Sequence, residues 1–204
     1  MSGKVSKGFT LLELLVAMAV AAILLGFGVP SFVQMIKSSR LSSEATCLNL
    51  ALFSARSEAV RRSDFVTVCP LGSANSCGTD WNNGVLVFSE GASAPRTGDL
   101  ETATVDADST IIRSCPPVHE DNTVIAVASP DRSVGSAKER KFIRYTRDGR
   151  SNWAPGYFAF CDDRDARNWR AINVGATGEV RRARTHPDDD ALVDSFSRKI
   201  ASCN

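Results

Sequence analysis

The hydrophobic positions divide the chain near Lys37. From Phe9 to Ile36 the residues are almost all apolar and carry one charge, Glu13. A run of that length exceeds the stretch of about 18 apolar residues that marks a membrane-spanning helix. Beyond it, Leu41, Ala45, Leu48, Leu52, Ala55 and Ala59 recur at three- and four-residue steps, with Ser42, Ser43, Glu44, Asn49, Arg56, Ser57 and Glu58 between them. This periodicity predicts an amphipathic helix with a small apolar face that packs on a sheet of its own domain. The helix should end near Arg61-Arg62-Ser63, where cations suit the negative end of the helix dipole.

Shorter apolar runs then alternate with turn residues. Candidate strands are Phe65–Cys69, Val85–Ser89, Thr110–Arg113, Thr123–Ala128, Lys141–Tyr145, Tyr157–Cys161, Trp169–Val174 and Glu179–Ala183. Asn82-Asn83-Gly84 and Asp148-Gly149 are turn signals, and Gly91 to Asp108 reads as a polar loop. One long helix followed by antiparallel strands predicts an α+β fold, with the helix lying across the sheet.

Composition changes this picture little. The 204 residues are 43% hydrophobic and 23% charged, as in a globular protein, and the net charge of +1 points to no nucleic-acid partner for the chain as a whole. Six cysteines, Cys47, Cys69, Cys77, Cys115, Cys161 and Cys203, form no CxxC pair, and only two histidines, His119 and His186, accompany them. Local zinc spacing is therefore missing. An even count beyond a membrane helix suggests disulfides in an oxidising compartment, with pairing left open by the sequence.

The order of polar and apolar segments at the start is informative. An ordinary secretory signal is cut after its apolar stretch, at small residues. Here a short polar leader with Lys4 and Lys7 precedes the apolar stretch. Lysines on that side stay cytoplasmic, so the bulk of the chain is expected across the membrane, in the periplasm of a two-membrane bacterium. A carboxylate such as Glu13 in an apolar helix costs roughly 2–3 kcal/mol or more unless it is solvated at the headgroup level or paired. A cut after Gly8 would leave Phe9 with a positive terminal amine. Glu13, one helical turn further on, could then neutralise that amine in a neighbouring subunit and set the register of bundled helices.

Gly8-Phe9-Thr10-Leu11-Leu12-Glu13 resembles the cleavage and methylation motif of type IV prepilins and type II secretion pseudopilins. The resemblance implies a prepilin peptidase that cuts between Gly8 and Phe9 and methylates Phe9, with Glu13 as the assembly carboxylate. Pro30, preceded by Gly26 and Gly28, resembles the helix-weakening region of such helices, where proline removes a hydrogen bond and kinks the helix. Ala55-Arg56-Ser57-Glu58-Ala59, Val66-Thr-Val-Cys69 with Cys77, Trp81-Asn-Asn-Gly84 and Ile143-Arg-Tyr-Thr-Arg-Asp-Gly149 are similar to stretches of the GspH/FimT group. That reading divides the chain into a leader, 1–8, a transmembrane and assembly helix, 9–36, and a periplasmic domain, 37–204, of pilin-like fold.

The resemblance also implies bridges Cys69–Cys77 and Cys161–Cys203, the second pinning the C-terminal tail to the sheet. Cys47 and Cys115 either pair or remain buried thiols. No G-x-S-x-G, P-loop, H-E-x-x-H or dinucleotide-binding glycine motif occurs, so an enzyme is not expected, and neither is a cofactor or metal. Asp162-Asp163 and Asp188-Asp189-Asp190 read as solvated surface.

From Lys138 to Arg184 there are twelve Lys/Arg against six Asp/Glu, a net +6 in 47 residues, with Trp153, Tyr157 and Trp169 interleaved. Arginines bind phosphates and aromatics stack on bases. Some FimT-like minor pilins bind DNA through a Gly-Arg-x-Arg motif. The similar stretch here is Gly178-Glu179-Val180-Arg181-Arg182-Ala183-Arg184, with Glu179 where the first arginine would stand. The expected function is a minor pilin or pseudopilin near a filament tip. It would assist assembly and partner other pilins, the peptidase and the inner membrane. The alternative is DNA uptake through Arg181, Arg182 and Arg184, against a plain charged edge strand that resists aggregation.

Overall fold

A computed structural model describes residues 10–73, 76–91, 105, 108–128, 138–139, 141–151, 156–186, 188, 191–193 and 199–200. Gly8, Phe9, Trp153, Cys203 and most of the polar loop after Gly91 lie outside the described residues. The chain forms two compact units, one up to Ser39 and one from Arg40 onward.

One helix, α1, runs over Leu11–Arg62, and the helical assignment passes Pro30 without a break. In the second unit its buried side is Leu41, Leu48, Ala51, Leu52, Ala55 and Ala59. Alanines at three of these six positions let backbone and sheet approach closely. The C-terminus closes as a Schellman motif. Ser63 takes a left-handed φ of 53°, its N–H donates to Val60 O (3.3 Å), and the Asp64 N–H donates to Ala59 O (3.1 Å). Arg61 and Arg62 both reach back to Glu58 (2.5 and 2.6 Å), the i,i+3 and i,i+4 neighbour on the same face.

Eleven strands follow among the described residues: β1 Val66–Pro70, β2 Val85–Ser89, β3 Thr110–Cys115, β4 Thr123–Ala128, β5 Lys138–Glu139, β6 Ile143–Tyr145, β7 Gly156–Cys161, β8 Arg170–Val174, β9 Val180–Arg182, β10 Arg184–Thr185 and β11 Leu192–Val193. They build a four-stranded sheet of order β3-β2-β1-β6, a five-stranded sheet of order β5-β4-β7-β8-β9, and the ribbon β10-β11. Every recorded pairing is antiparallel. The α+β expectation therefore holds, with the strand complement split over two sheets.

Both sheets present one face to α1 in a shared core. Val66, Val68, Val87, Ile143 and Tyr145 come from the first sheet, and Val124, Phe158, Phe160, Ile172 and Val174 from the second. Trp81 sits between them, its ring edge-on to Phe158 at 4.8 Å. The opposite faces are covered as well. Cys69, Leu86, Phe88 and Phe142 cluster behind the first sheet, and Ala159, Cys161, Ala171, Leu192 and Ile200 behind the second. This explains why β1 and β2 are buried at every position instead of alternately. A polar triad lies on the outer face of the first sheet. Arg144 pairs with Glu90 (2.6 Å), both nearly fully buried, and the Thr67 hydroxyl donates to the same carboxylate.

Disulfides join Cys47 to Cys115 and Cys69 to Cys77, and Cys161 is also disulfide-bonded; Cys203, the partner expected for it, lies outside the described residues. The open question of Cys47 and Cys115 is thus answered: α1 is stapled to the end of β3. Glu44 strengthens the same junction, accepting from the His119 N–H (2.9 Å) and from Asn122 Nδ2 (2.8 and 2.9 Å).

The Cys47–Cys115 bridge spans 68 residues. In the chain-entropy account, opening a loop of this size costs about 4 kcal/mol. The double variant Cys47→Ser/Cys115→Ser should therefore unfold at markedly lower denaturant, while reduction of the wild type, which also opens Cys69–Cys77, should produce a larger drop. A midpoint within error of wild type would contradict this.

The two arginines beside Glu58 hold its carboxyl down to about 2, from a usual 4.5. A lowered folded-state pKa contributes stability that is present above the unfolded value and is lost as pH falls. The melting-temperature gap between wild type and Glu58→Gln should be constant above about pH 5 and close between about pH 4.5 and pH 2. A gap that is flat with pH would exclude this contribution.

Candidate functional site: an apolar helix and a basic edge

In the first unit the apolar side chains of α1 are exposed on all sides, from Leu11 (78%) through Phe27 (80%) to Met35 (69%). The helix is long and apolar enough to cross a membrane, with a mean hydropathy of 2.4 over its most apolar window. Thr10 begins it: the Glu13 N–H donates to Thr10 Oγ1 at 3.2 Å. Thr-x-x-Glu is the sequence of a capping box, and this bond is one of its two arms. Glu13 therefore stands in the first turn, where the helix dipole favours a negative charge. Its carboxylate is solvent-exposed, and no described residue pairs with it. The sequence reading passed over the cap, although Thr10 three residues before Glu13 is its signal. Among the described residues, no apolar packing covers the helix from Leu11 to Met35.

The second candidate is the basic C-terminal part. The net +6 does not form one patch, because several of its cations are already engaged. Arg144 is buried against Glu90 and Arg164 against Asp162 (2.5 Å), while Arg150 meets Asp148 (3.2 Å) and Arg181 meets Glu179 (2.8 Å). The Asp162–Arg164 pair corrects the expectation of a solvated acidic surface there. The Asp162 side chain is 1% exposed, and the Asp162 carboxylate also accepts from the Arg164 N–H. Asp163 and Asp188 are exposed, and Asp189 and Asp190 lie outside the described residues.

Arg181, Arg182 and Arg184 are exposed on the edge, but they do not face one way. β9 is the last strand of its sheet, and Asn173 pairs with Arg181 while Ile172 pairs with Arg182. Ile172 belongs to the core beneath α1, so alternation puts Arg182 on the helix side and Arg181 on the other. There Glu179, standing in place of a motif arginine, holds Arg181. Arg184 lies in the separate ribbon, opposite Val193.

On the helix side, Arg182 lines a groove of about 190 Å³ together with Arg167 and Arg170, bounded by α1 residues Ser42, Thr46 and Asn49, with Trp169 at its wall. Arg170 Nη1 donates to the carbonyls of Asn168 (2.9 Å) and Trp169 (3.0 Å), which orients its head group. Trp169 is itself fixed by donation from Nε1 to Arg164 O (3.1 Å). The sequence count of cations included all three arginines. Nothing local in the sequence showed that residues 42–49, 167–170 and 182 converge. A second cavity of about 250 Å³ is almost wholly apolar and lies beside the Cys47–Cys115 bridge, Trp81 and Phe160. Among the described residues no group of three or more His, Cys, Asp or Glu gathers as a metal site.

Comparison with known proteins adds the following. A family model described as "Type II transport protein GspH" matches residues 44–178, and one described as "Prokaryotic N-terminal methylation motif" matches residues 3–29. No curated protein matches the chain. Among solved structures, the chain is similar to the type IV minor pilin FimU of Pseudomonas aeruginosa, at 18% identity and a TM-score of 0.47, covering 72% of this chain and 91% of that one. It is also similar to the minor pseudopilin EpsH of the Vibrio cholerae type II secretion system, at 8% identity and a TM-score of 0.45, covering 71% and 94%.

Proposed function

The chain belongs to the GspH family of minor pilins and pseudopilins, which are structural subunits and not enzymes, and we propose that it joins a filament at or near its tip through its apolar N-terminal helix, assisting assembly. The filament is a type IV pilus or the pseudopilus of a type II secretion system. The observation that carries this reading is the first part of α1, Leu11 to Met35, apolar and exposed on every side, with a single carboxylate in its first turn. Such a surface is stable only in a bilayer or in a bundle of like helices. A prepilin peptidase cuts between Gly8 and Phe9 and methylates the new amine. The subunit is then held in the inner membrane with the domain from Lys37 onward in the periplasm, and Glu13 pairs with the amine of a neighbouring pilin. A well-braced domain whose sheet faces are both covered suits an end position, where no further subunit shields it.

Replacing Glu13 with Ala should leave membrane insertion and the melting of the folded domain unchanged and reduce incorporation severalfold, measured as the amount of subunit in sheared filaments against the membrane fraction. Incorporation at the wild-type level would refute the role of Glu13.

A second reading, DNA binding for uptake during natural transformation, is favoured by one observation. Among the described residues no carboxylate pairs with Arg182 or Arg184, and both are exposed. Arg181 contributes less, because Glu179 holds it. The mature full-length chain in uncharged detergent should shift a duplex in a gel, with salt-sensitive affinity. Arg182→Ala and Arg184→Ala should each lower the salt slope by about 1, and Arg181→Ala by less. Binding that is absent, or indifferent to salt and to these changes, would dismiss the reading.

A further inference from the structure

The groove between α1 and the edge of the five-stranded sheet is lined by three arginines, Arg167, Arg170 and Arg182. Among the described residues that line it, none is acidic. Like charges near one another repel, and an anion between them relieves that repulsion. Opposite the arginines α1 offers Ser42, Thr46 and Asn49, a hydroxyl, a second hydroxyl and an amide, which can each donate to an oxygen. Planar guanidiniums with added neutral donors fit the tetrahedral oxygens of a phosphate group.

The chain limits which phosphate can reach the groove. Ser42 follows Ile36, the end of the apolar run, by six residues. Six residues span at most about 20 Å even when fully extended. When the apolar run lies in a bilayer, the α1 side of the groove is thus tethered close to the headgroup layer, whose phosphates are present at high local concentration. We propose that this groove is a binding site for the phosphate of an anionic phospholipid headgroup, engaged while the subunit waits in the membrane and released when the subunit enters the filament. The proposal rests on the membrane-anchored reading above. It gives Arg167 and Arg170 a role separate from that of Arg184 in the ribbon, and it predicts that acidic lipids hold the domain against the bilayer before assembly.

The test uses the mature full-length chain in uncharged detergent, titrated with phosphatidylglycerol or phosphatidylcholine and read by native mass spectrometry as bound-lipid adducts. Phosphatidylglycerol should be retained in preference to phosphatidylcholine, and Arg167→Ala and Arg182→Ala should each weaken it roughly five-fold, as one cation does at an anionic surface. Arg181→Ala, already paired with Glu179, should change retention little. Circular dichroism melting of each variant separates lost binding from lost folding, and Arg167→Lys should restore part of the retention because it keeps the charge. Equal retention of the two lipids, or retention unaffected by Arg167→Ala/Arg182→Ala in a folded variant, overturns the proposal. So does a duplex oligonucleotide that binds through these arginines while phosphatidylglycerol does not. Carbonate extraction of membranes carrying the same variants keeps the two readings apart. A chain lost to the soluble fraction defeats the anchor itself, whereas a chain that stays in the membrane without lipid preference defeats only the groove assignment.

Discussion

Arg56 holds the second unit together at the point where its two sheets meet. Its Nε donates to Gly149 O (3.0 Å), in the turn after β6, and its Nη2 to Thr177 O (3.3 Å), in the turn between β8 and β9. One guanidinium on α1 thus grips a turn from each sheet. The part-buried bond to Gly149 contributes about 1.5 kcal/mol, and the longer, exposed bond to Thr177 contributes less. The two turns touch one another as well. A Cβ on Gly178 would lie 2.1 Å from Gly149 O, and both glycines take a left-handed φ, 77° and 76°. Only glycine allows this approach.

The consequences run outward from that contact. The turn gripped by Arg56 leads directly into Glu179, Arg181 and Arg182, so the orientation of the edge strand follows from a bond made on the helix. The side of β9 that carries Arg182 is turned towards α1, and the other side, with Arg181 and Glu179, away from it.

The first unit follows a different physical logic. Among its described residues, the apolar side chains from Leu11 to Met35 remain exposed. Stability must come from what surrounds the helix, which is the property expected of a segment that moves between a bilayer and a bundle of other subunits. As a residue of the first turn Glu13 suits the helix dipole, and in the proposed assembly it would pair with a cation from another chain.

Much of this was legible in the sequence, because local chemistry decided it. The apolar run, the Gly8-Phe9 junction and the spacing to Glu13 need no tertiary contact to be read, and the three- and four-residue steps from Leu41 to Ala59 placed the buried face of α1. Eight candidate strands correspond to observed ones within a few residues, since each is a short run bounded by turn residues. The strands missed, β5, β10 and β11, have two residues each and no pattern long enough to show. Tertiary structure alone decided the rest. Pairing of Cys47 with Cys115 and convergence of Arg167, Arg170 and Arg182 on α1 join residues whose proximity depends on how the strands are laid side by side, and the same packing buries Asp162 although its partner Arg164 is only two residues away. A sequence records which charges and thiols a chain possesses. Which of them neutralise one another, and which are left to face a partner, depends on sheet order and strand facing, and those are set by contacts such as Arg56 makes across nearly a hundred residues or more.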